Sequence, residues 1–147
     1  MNSNRKAFLD MIATSEGTIG HGDNGYNVDV GGKLFQGYAD HPRILVKLSP
    51  VLKSTAAGRY QLLSKYFDYY KKLLKLPDFS PDSQDAIAIQ QIRECKALAD
   101  VDEGRFDMAV QKCAHIWASL PGAGYNQHEN KLEDLRAAYI EAGGVVA

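Results

Sequence analysis

Four glycines crowd the nine residues Gly17–Gly25, and they separate the first amphipathic stretch of the chain from the rest of it. Glycine loses more backbone freedom on folding than any other residue, so this run is a loop. Before it, Asn4-Arg-Lys-Ala-Phe-Leu-Asp-Met-Ile-Ala-Thr-Ser-Glu16 carries apolar residues at helical spacing. That spacing predicts a helix from about Ser3 or Asn4 to Glu16. The break therefore leaves Glu16 on the last turn of a helix. Phe8, Ile12 and Glu16 share one face at i, i+4 and i+8, and that face is the apolar one.

Two readings of Glu16 stand on these residues alone. In one, the side chain ends a helix and points into water, as glutamate mostly does. In the other, it is partly desolvated by the apolar stripe and sits at the negative end of the helix dipole. Both effects favour the protonated form. A carboxylic acid kept protonated near neutrality is a general acid.

Beyond the glycine run, Tyr26–Val30 alternates with period two, Gly31-Gly32 is a turn and Lys33–Gln36 comes next. This predicts a β-hairpin. Ile44–Leu48 reads as a short strand or extended segment. Ser54-Thr-Ala-Ala-Gly58 is a small-residue loop leading into a helix from about Gly58 to Leu76, which Pro77 stops. Ser80-Pro81-Asp82 is a strong helix start, for a helix ending near Ala97. Further helices are expected at about Phe106–Ser119, broken by Pro121-Gly-Ala-Gly124, and at about Asn130–Ala142 before Gly143-Gly144. The reading is α+β: mainly helical, with one small antiparallel β-sheet in the N-terminal third.

At 147 residues the chain suits one domain, 1–147, with a sizeable core. Hydrophobic residues make up 45%, charged residues 24%, and the formal net charge is −1. That balance offers no bulk attraction for nucleic acid or an anionic membrane. The N-terminus has no signal-peptide pattern, and no apolar run is long enough to span a bilayer, so synthesis in the cytoplasm is expected. Cys95 and Cys113 both fall in apolar helical patterns and read as small buried thiols rather than a disulfide. His21, His41, His115 and His128 show no metal-ligand spacing, and no metal or cofactor is expected.

Three loops carry more Gly, Tyr and small polar residues than folding requires. One comes directly after Glu16, one spans Ser54–Gln61, and one spans Pro121–Gln127. Tyr60, Gln61, Tyr125 and Gln127 combine flat rings with amides, a surface that suits sugars: rings stack on the apolar C–H face and amides pair with hydroxyls. The same tyrosines would serve equally as packing for helix starts, with solvated amides. Cleaving a glycosidic bond usually takes an acid and a second carboxylate. Asp23, Asp29 and Asp40 are the candidates, but Asp23 and Asp29 lie in or beside a turn, where Asp commonly accepts from the local backbone.

A wider pattern supports the sugar reading. Arg5-Lys-Ala-Phe-Leu-Asp-Met, Ser15-Glu-Gly-Thr18, Val30-Gly-Gly32, Asp40-His-Pro-Arg43, Leu52-Lys-Ser-Thr55, Ala57-Gly-Arg-Tyr-Gln-Leu-Leu-Ser64, Asp78-Phe-Ser-Pro81, Ser83-Gln-Asp-Ala86 and Ile116–Tyr125 occur in that order over nearly the whole chain. In these stretches the chain resembles the lambda-type endolysin family. The resemblance implies a lysozyme-like fold and a lytic transglycosylase, which cleaves the β-1,4 bond between N-acetylmuramic acid and N-acetylglucosamine in peptidoglycan and leaves a 1,6-anhydro ring. The family's catalytic glutamate falls on Glu16. Ser54, Tyr60, Gln61, Tyr125 and Gln127 are the expected substrate-binding residues. The resemblance further implies a monomer whose partner is the glycan strand, with no stable membrane association, released to the periplasmic wall through a holin. A hydrolysing muramidase, with Asp29 or Asp23 aligning water, and a non-catalytic wall-binding module are the competing readings.

Overall fold

The Asn2 side chain accepts the Arg5 N–H at 2.8 Å and opens helix α1, Ser3–Glu16. Ala7, Phe8, Leu9, Met11, Ile12 and Ala13 are buried along it. Gly17 ends it in the left-handed conformation, φ 78°, with its N–H returned to the Thr14 carbonyl at 3.1 Å. The computed structural model describes residues 1–124 and 129–147. Among these, the elements after α1 are β1 (Val46–Lys47), β2 (Lys53–Ser54), α2 (Ser64–Leu74), α3 (Pro81–Glu94), α4 (Leu98–Asp102), α5 (Phe106–Cys113) and α6 (Leu132–Glu141). The chain forms two compact units, 1–17 with 88–147, and 18–87. Helix α3 runs through the division.

In the first unit, α1 packs against α6 and α4. Phe106 joins them, with its ring 6.1 Å from Phe8 and 4.8 Å from Tyr139. Arg5 grips both oxygens of Asp102, at 2.7 and 2.8 Å, and fixes the start of α1 to the end of α4. The buried Asp100 holds Lys112 at 2.6 Å and Arg105 at 2.7 Å, tying α4 to α5.

In the second unit, β1 and β2 pair antiparallel, Val46 with Ser54 and Lys47 with Lys53. The core comprises Phe35, Ala57, Leu62, Phe67, Tyr70, Phe79 and Ile87. His41 is buried between Phe67 and Phe79. Its Nδ1 accepts the Arg43 N–H at 2.9 Å, so its Nε2 carries the proton given to the Leu62 carbonyl at 2.8 Å. Burial lowers its pKa, and the ring is a neutral structural group.

Four elements differ from the sequence expectation. Residues 26–36 form a single bridge, Val28 with Leu34, rather than two strands. The Asp29 carboxylate captures the Gly31 and Lys33 N–H groups at 2.8 and 3.0 Å, and Val30 donates instead to the Ala56 carbonyl at 2.9 Å. The sheet is built from the next segments along. Helix α2 starts at Ser64, not Gly58, because Ala57 and Leu62 exchange both backbone hydrogen bonds across a tight loop. Gly58 (φ 85°) and Gln61 (φ 54°) take left-handed conformations within it. Thr55 then caps α2 from outside, accepting the Ser64 N–H at 3.0 Å. Helix α5 stops at Cys113, whose carbonyl takes the N–H groups of Ile116 and Trp117 in turns that bury Trp117 and Leu120. The short α4 lies in a stretch with too few turns for a periodic signal.

Candidate active site

Gly17 fixes where α1 ends, and so where Glu16 points. The side chain is half-buried. Its Oε2 accepts the Ser119 hydroxyl at 2.8 Å. Ser119 Oγ lies 2.7 Å from Ser15 Oγ, and Asn130 Nδ2 lies 3.0 Å from Ser15 Oγ and 2.9 Å from the Ser15 carbonyl. Each hydroxyl has one proton, and an amide nitrogen only donates. One sense gives each proton of the row an acceptor: Asn130 donates to Ser15, Ser15 to Ser119, and Ser119 to Glu16. In that sense Oε2 is an acceptor, which leaves Oε1 as the oxygen able to carry the acidic proton.

Two opposed effects set the acidity of this group. Burial raises the Glu16 carboxyl above the usual glutamate range, and the Ser119 hydrogen bond lowers it by a smaller amount. The arrangement can donate a proton from Oε1 and then hold the resulting carboxylate through Oε2. The backbone around it is also tied. Asn130 donates its N–H to the Ser119 carbonyl at 2.8 Å. Glu129 accepts the Gly122 and Gly124 N–H groups at 3.0 and 3.1 Å, and these bonds lower its pKa.

The other expected residues lie in the second unit, apart from two. Ser54 ends β2 half-buried, and its hydroxyl accepts the Ala56 N–H at 3.1 Å. Tyr60 is 5% exposed and donates to Asp85 at 2.6 Å. Gln61 donates through Nε2 to the Gly58 and Val28 carbonyls, at 2.9 and 3.2 Å. Tyr125 and Gln127 lie outside the described residues. Asp85 also receives the Tyr26 hydroxyl at 2.9 Å, and burial raises its pKa while the two tyrosines oppose the rise. Arg59 stacks on Tyr26 and Tyr60, with Nε donating to the Asn24 carbonyl at 2.9 Å. The Thr18 hydroxyl donates to the Arg59 carbonyl at 2.6 Å. The glycine-rich loop is thereby pinned at Thr18, Asn24 and Tyr26 to the 59–60 turn and to α3. Asp23 accepts the Tyr38 hydroxyl at 2.6 Å.

Sequence reasoning missed Ser119, Ser15 and Asn130 as partners of the acid. Serine and asparagine at helix ends are common, and more than a hundred residues separate the two halves of the row. The available signal was the pair of small residues at the expected end of the helix, Ala118-Ser119 before Leu120-Pro121.

Comparison with known proteins bears directly on this arrangement. The Endolysin family model matches residues 6–146. An endolysin of Escherichia phage lambda is 57% identical over 150 residues, which cover 99% of this chain and 95% of that protein. An endolysin of Escherichia phage P2 is 48% identical over 159 residues, covering 99% and 96%. Among solved structures, bacteriophage lambda lysozyme complexed with a chitohexasaccharide superposes with a TM-score of 0.97. That match, at 57% identity, covers 100% of this chain and 98% of the other. The α+β architecture is lysozyme-like.

Proposed function

The chain belongs to the endolysin family, and from that premise we propose that it is a peptidoglycan lytic transglycosylase with Glu16 as its single acid and base. Its substrate would be the β-1,4-linked amino-sugar strand of the bacterial wall, and its consequence host lysis. The observation that carries the reading is a half-buried Glu16 whose partner is a hydroxyl rather than a second carboxylate.

The protonated Oε1 gives its proton to the departing glycosidic oxygen as the C1–O bond breaks. Positive charge develops on the muramoyl ring, and the C6 hydroxyl of that ring attacks C1. The ionised Glu16 takes the C6 hydroxyl proton, which restores the acid and leaves the 1,6-anhydro product. The nucleophile is already tethered to the electrophile, so no water needs to be activated. Asp29 is committed to two backbone N–H groups and Asp23 to Tyr38, which weakens the case for either as a water-aligning base.

Ser54, Tyr60, Gln61, Tyr125 and Gln127 are proposed to serve glycan binding. For Tyr60 and Gln61 the role is to hold the 57–62 turn in shape, since the Tyr60 hydroxyl and the Gln61 amide nitrogen already have partners. The reading extends to one catalytic domain over 1–147 acting as a monomer, without a cofactor. It would be made in the cytoplasm and reach the periplasmic wall after a holin opens the membrane. Mass spectrometry of digested peptidoglycan tests the chemistry. Anhydro-muramic ends are expected, and products heavier by one water would replace this reading with a hydrolysing muramidase. Glu16→Gln should reduce clearing of permeabilised Gram-negative cells by at least about a thousandfold. Wall binding without clearing by the unaltered protein would favour a non-catalytic module.

A further inference from the structure

Cys95 sits just past the last turn of α3, and Cys113 is the last residue of α5. Both are free. The segments that carry the two thiols lie side by side: Cys95 Sγ is 4.0 Å from the ring of His115, two residues beyond Cys113, and each thiol shifts the ionisation of the other. The residues beside them touch as well, since Lys112 donates through Nζ to the Lys96 carbonyl at 3.3 Å. Asp100 holds Lys112 from the other side at 2.6 Å, which keeps the end of α5 against the 95–100 segment. The pair is asymmetric. Cys113 is fully buried, whereas Cys95 is half-exposed, and its Sγ lies 4.0 Å from Nε2 of the exposed His115.

We propose that Cys95 and Cys113 form a thiol-oxidation site, in which a small-molecule disulfide converts the pair to an intrachain Cys95–Cys113 disulfide. Geometry assigns the order of events. Cys95 alone meets solvent and has a neighbouring imidazole to take its proton. Its thiolate attacks one sulfur of the incoming disulfide, forms a mixed disulfide and expels one thiolate. Cys113 then attacks Cys95 Sγ, forms the internal bond and expels the second thiolate. Two protein thiols and one disulfide become one protein disulfide and two small thiols, with the protons passing to the leaving groups. The neighbouring thiol favours ionisation at Cys95, while that neighbour and burial disfavour it at Cys113. That order matches the assigned sequence of attack.

The bond would close a loop of about twenty residues and join α3 to α5, restricting the unfolded chain and raising the midpoint of thermal unfolding by about 5 to 10 °C. The Cys113 carbonyl also starts the turns that lead to Ser119, so the staple would brace the segment that donates to Glu16.

The test incubates the intact protein with oxidised glutathione, blocks remaining thiols with iodoacetamide, and maps peptides without reduction. A peptide pair joining residues 95 and 113, no alkylated cysteine, and a higher unfolding midpoint that dithiothreitol reverses are expected. Cys113→Ser should stop at a stable glutathione adduct on Cys95. Cys95→Ser, which alters only the half-exposed partner, should show neither the joined peptides nor the thermal shift. A persistent adduct on Cys95 of the unaltered protein, a disulfide-linked dimer, or two thiols that remain alkylatable would each overturn the proposal.

Discussion

Replacing Ser119 by alanine removes the hydrogen bond that, among the described residues, opposes the effect of burial on Glu16. A hydroxyl donating to a carboxylate favours the ionised form, so its loss moves the titration of Glu16 upward. A hydrogen bond to a charged group is worth about 1.5–3 kcal/mol when sheltered from water. Glu16 is half-buried, so roughly half of that is retained, about 1 kcal/mol. At 1.36 kcal/mol per tenfold, the midpoint moves up by somewhat under one pH unit. The protonated form is the acid, and kcat/KM reports the free enzyme, so activity falls as pH rises through the midpoint. Ser119→Ala should therefore be slower at its optimum yet keep its activity to higher pH. The assay is kcat/KM on soluble glycan strands between pH 4 and 9, alongside carbon-13 NMR of the glutamate side-chain carboxyls in the protein alone. An unchanged midpoint, or one moved to lower pH, would refute the assigned direction of the Asn130-Ser15-Ser119-Glu16 row.

Other consequences are simpler to measure. Asp29→Asn keeps the acceptor oxygen for Gly31 and Lys33 but removes its charge, so urea unfolding should show a loss of about 1 kcal/mol, with anhydro products unchanged. Asp29→Ala leaves both N–H groups without that acceptor and should cost about 2–3 kcal/mol. Tyr60→Phe removes one of two donors from the half-buried Asp85, and the expected cost is about 1–3 kcal/mol in the same assay.

The sequence spoke most clearly where a local rule decided the outcome. The apolar stripe through Phe8 and Ile12 and the break at Gly17 are local signals, and α1 has the expected ends. Val46–Lys47 emerged from the extended segment Ile44–Leu48. Local rules failed where distant partners intervened. A period of two at Tyr26–Val30 describes a strand, but Asp29 spends its carboxylate on its own turn and Val30 pairs with Ala56. Residues 58–62 are helix-compatible by composition, yet Val28 takes the Gly58 N–H at 2.8 Å and Gln84 takes that of Arg59 at 2.9 Å. A side chain on Gly58 would also run into Gln84 and Phe79, so this glycine is required by packing as well as by its φ. The site divides the same way. The alignment of Glu16 with Phe8 and Ile12 was legible from spacing, but Ser119 and Asn130 were not, because only tertiary structure brings them to it.

A carboxylic acid tuned in this way should weaken the fold that carries it, and pH exposes the cost. Burial raises the Glu16 pKa above its unfolded value. The folded state then binds the proton more tightly than the unfolded chain does, so stability falls as pH climbs from the unfolded value through the folded one. Above the folded value the whole penalty is present; below the unfolded value there is none. Glu16→Gln keeps the acceptor for Ser119 and removes the charge. Near pH 4 the variant and the parent should therefore unfold at nearly the same temperature. Near pH 8 the variant should be the more stable, by no more than about 1 kcal/mol given partial solvation, or about 2–4 °C. Differential scanning calorimetry at the two pH values is sufficient. If the variant is instead less stable at pH 8 than at pH 4 relative to the parent, ionised Glu16 contributes to stability, and desolvation is not what tunes it.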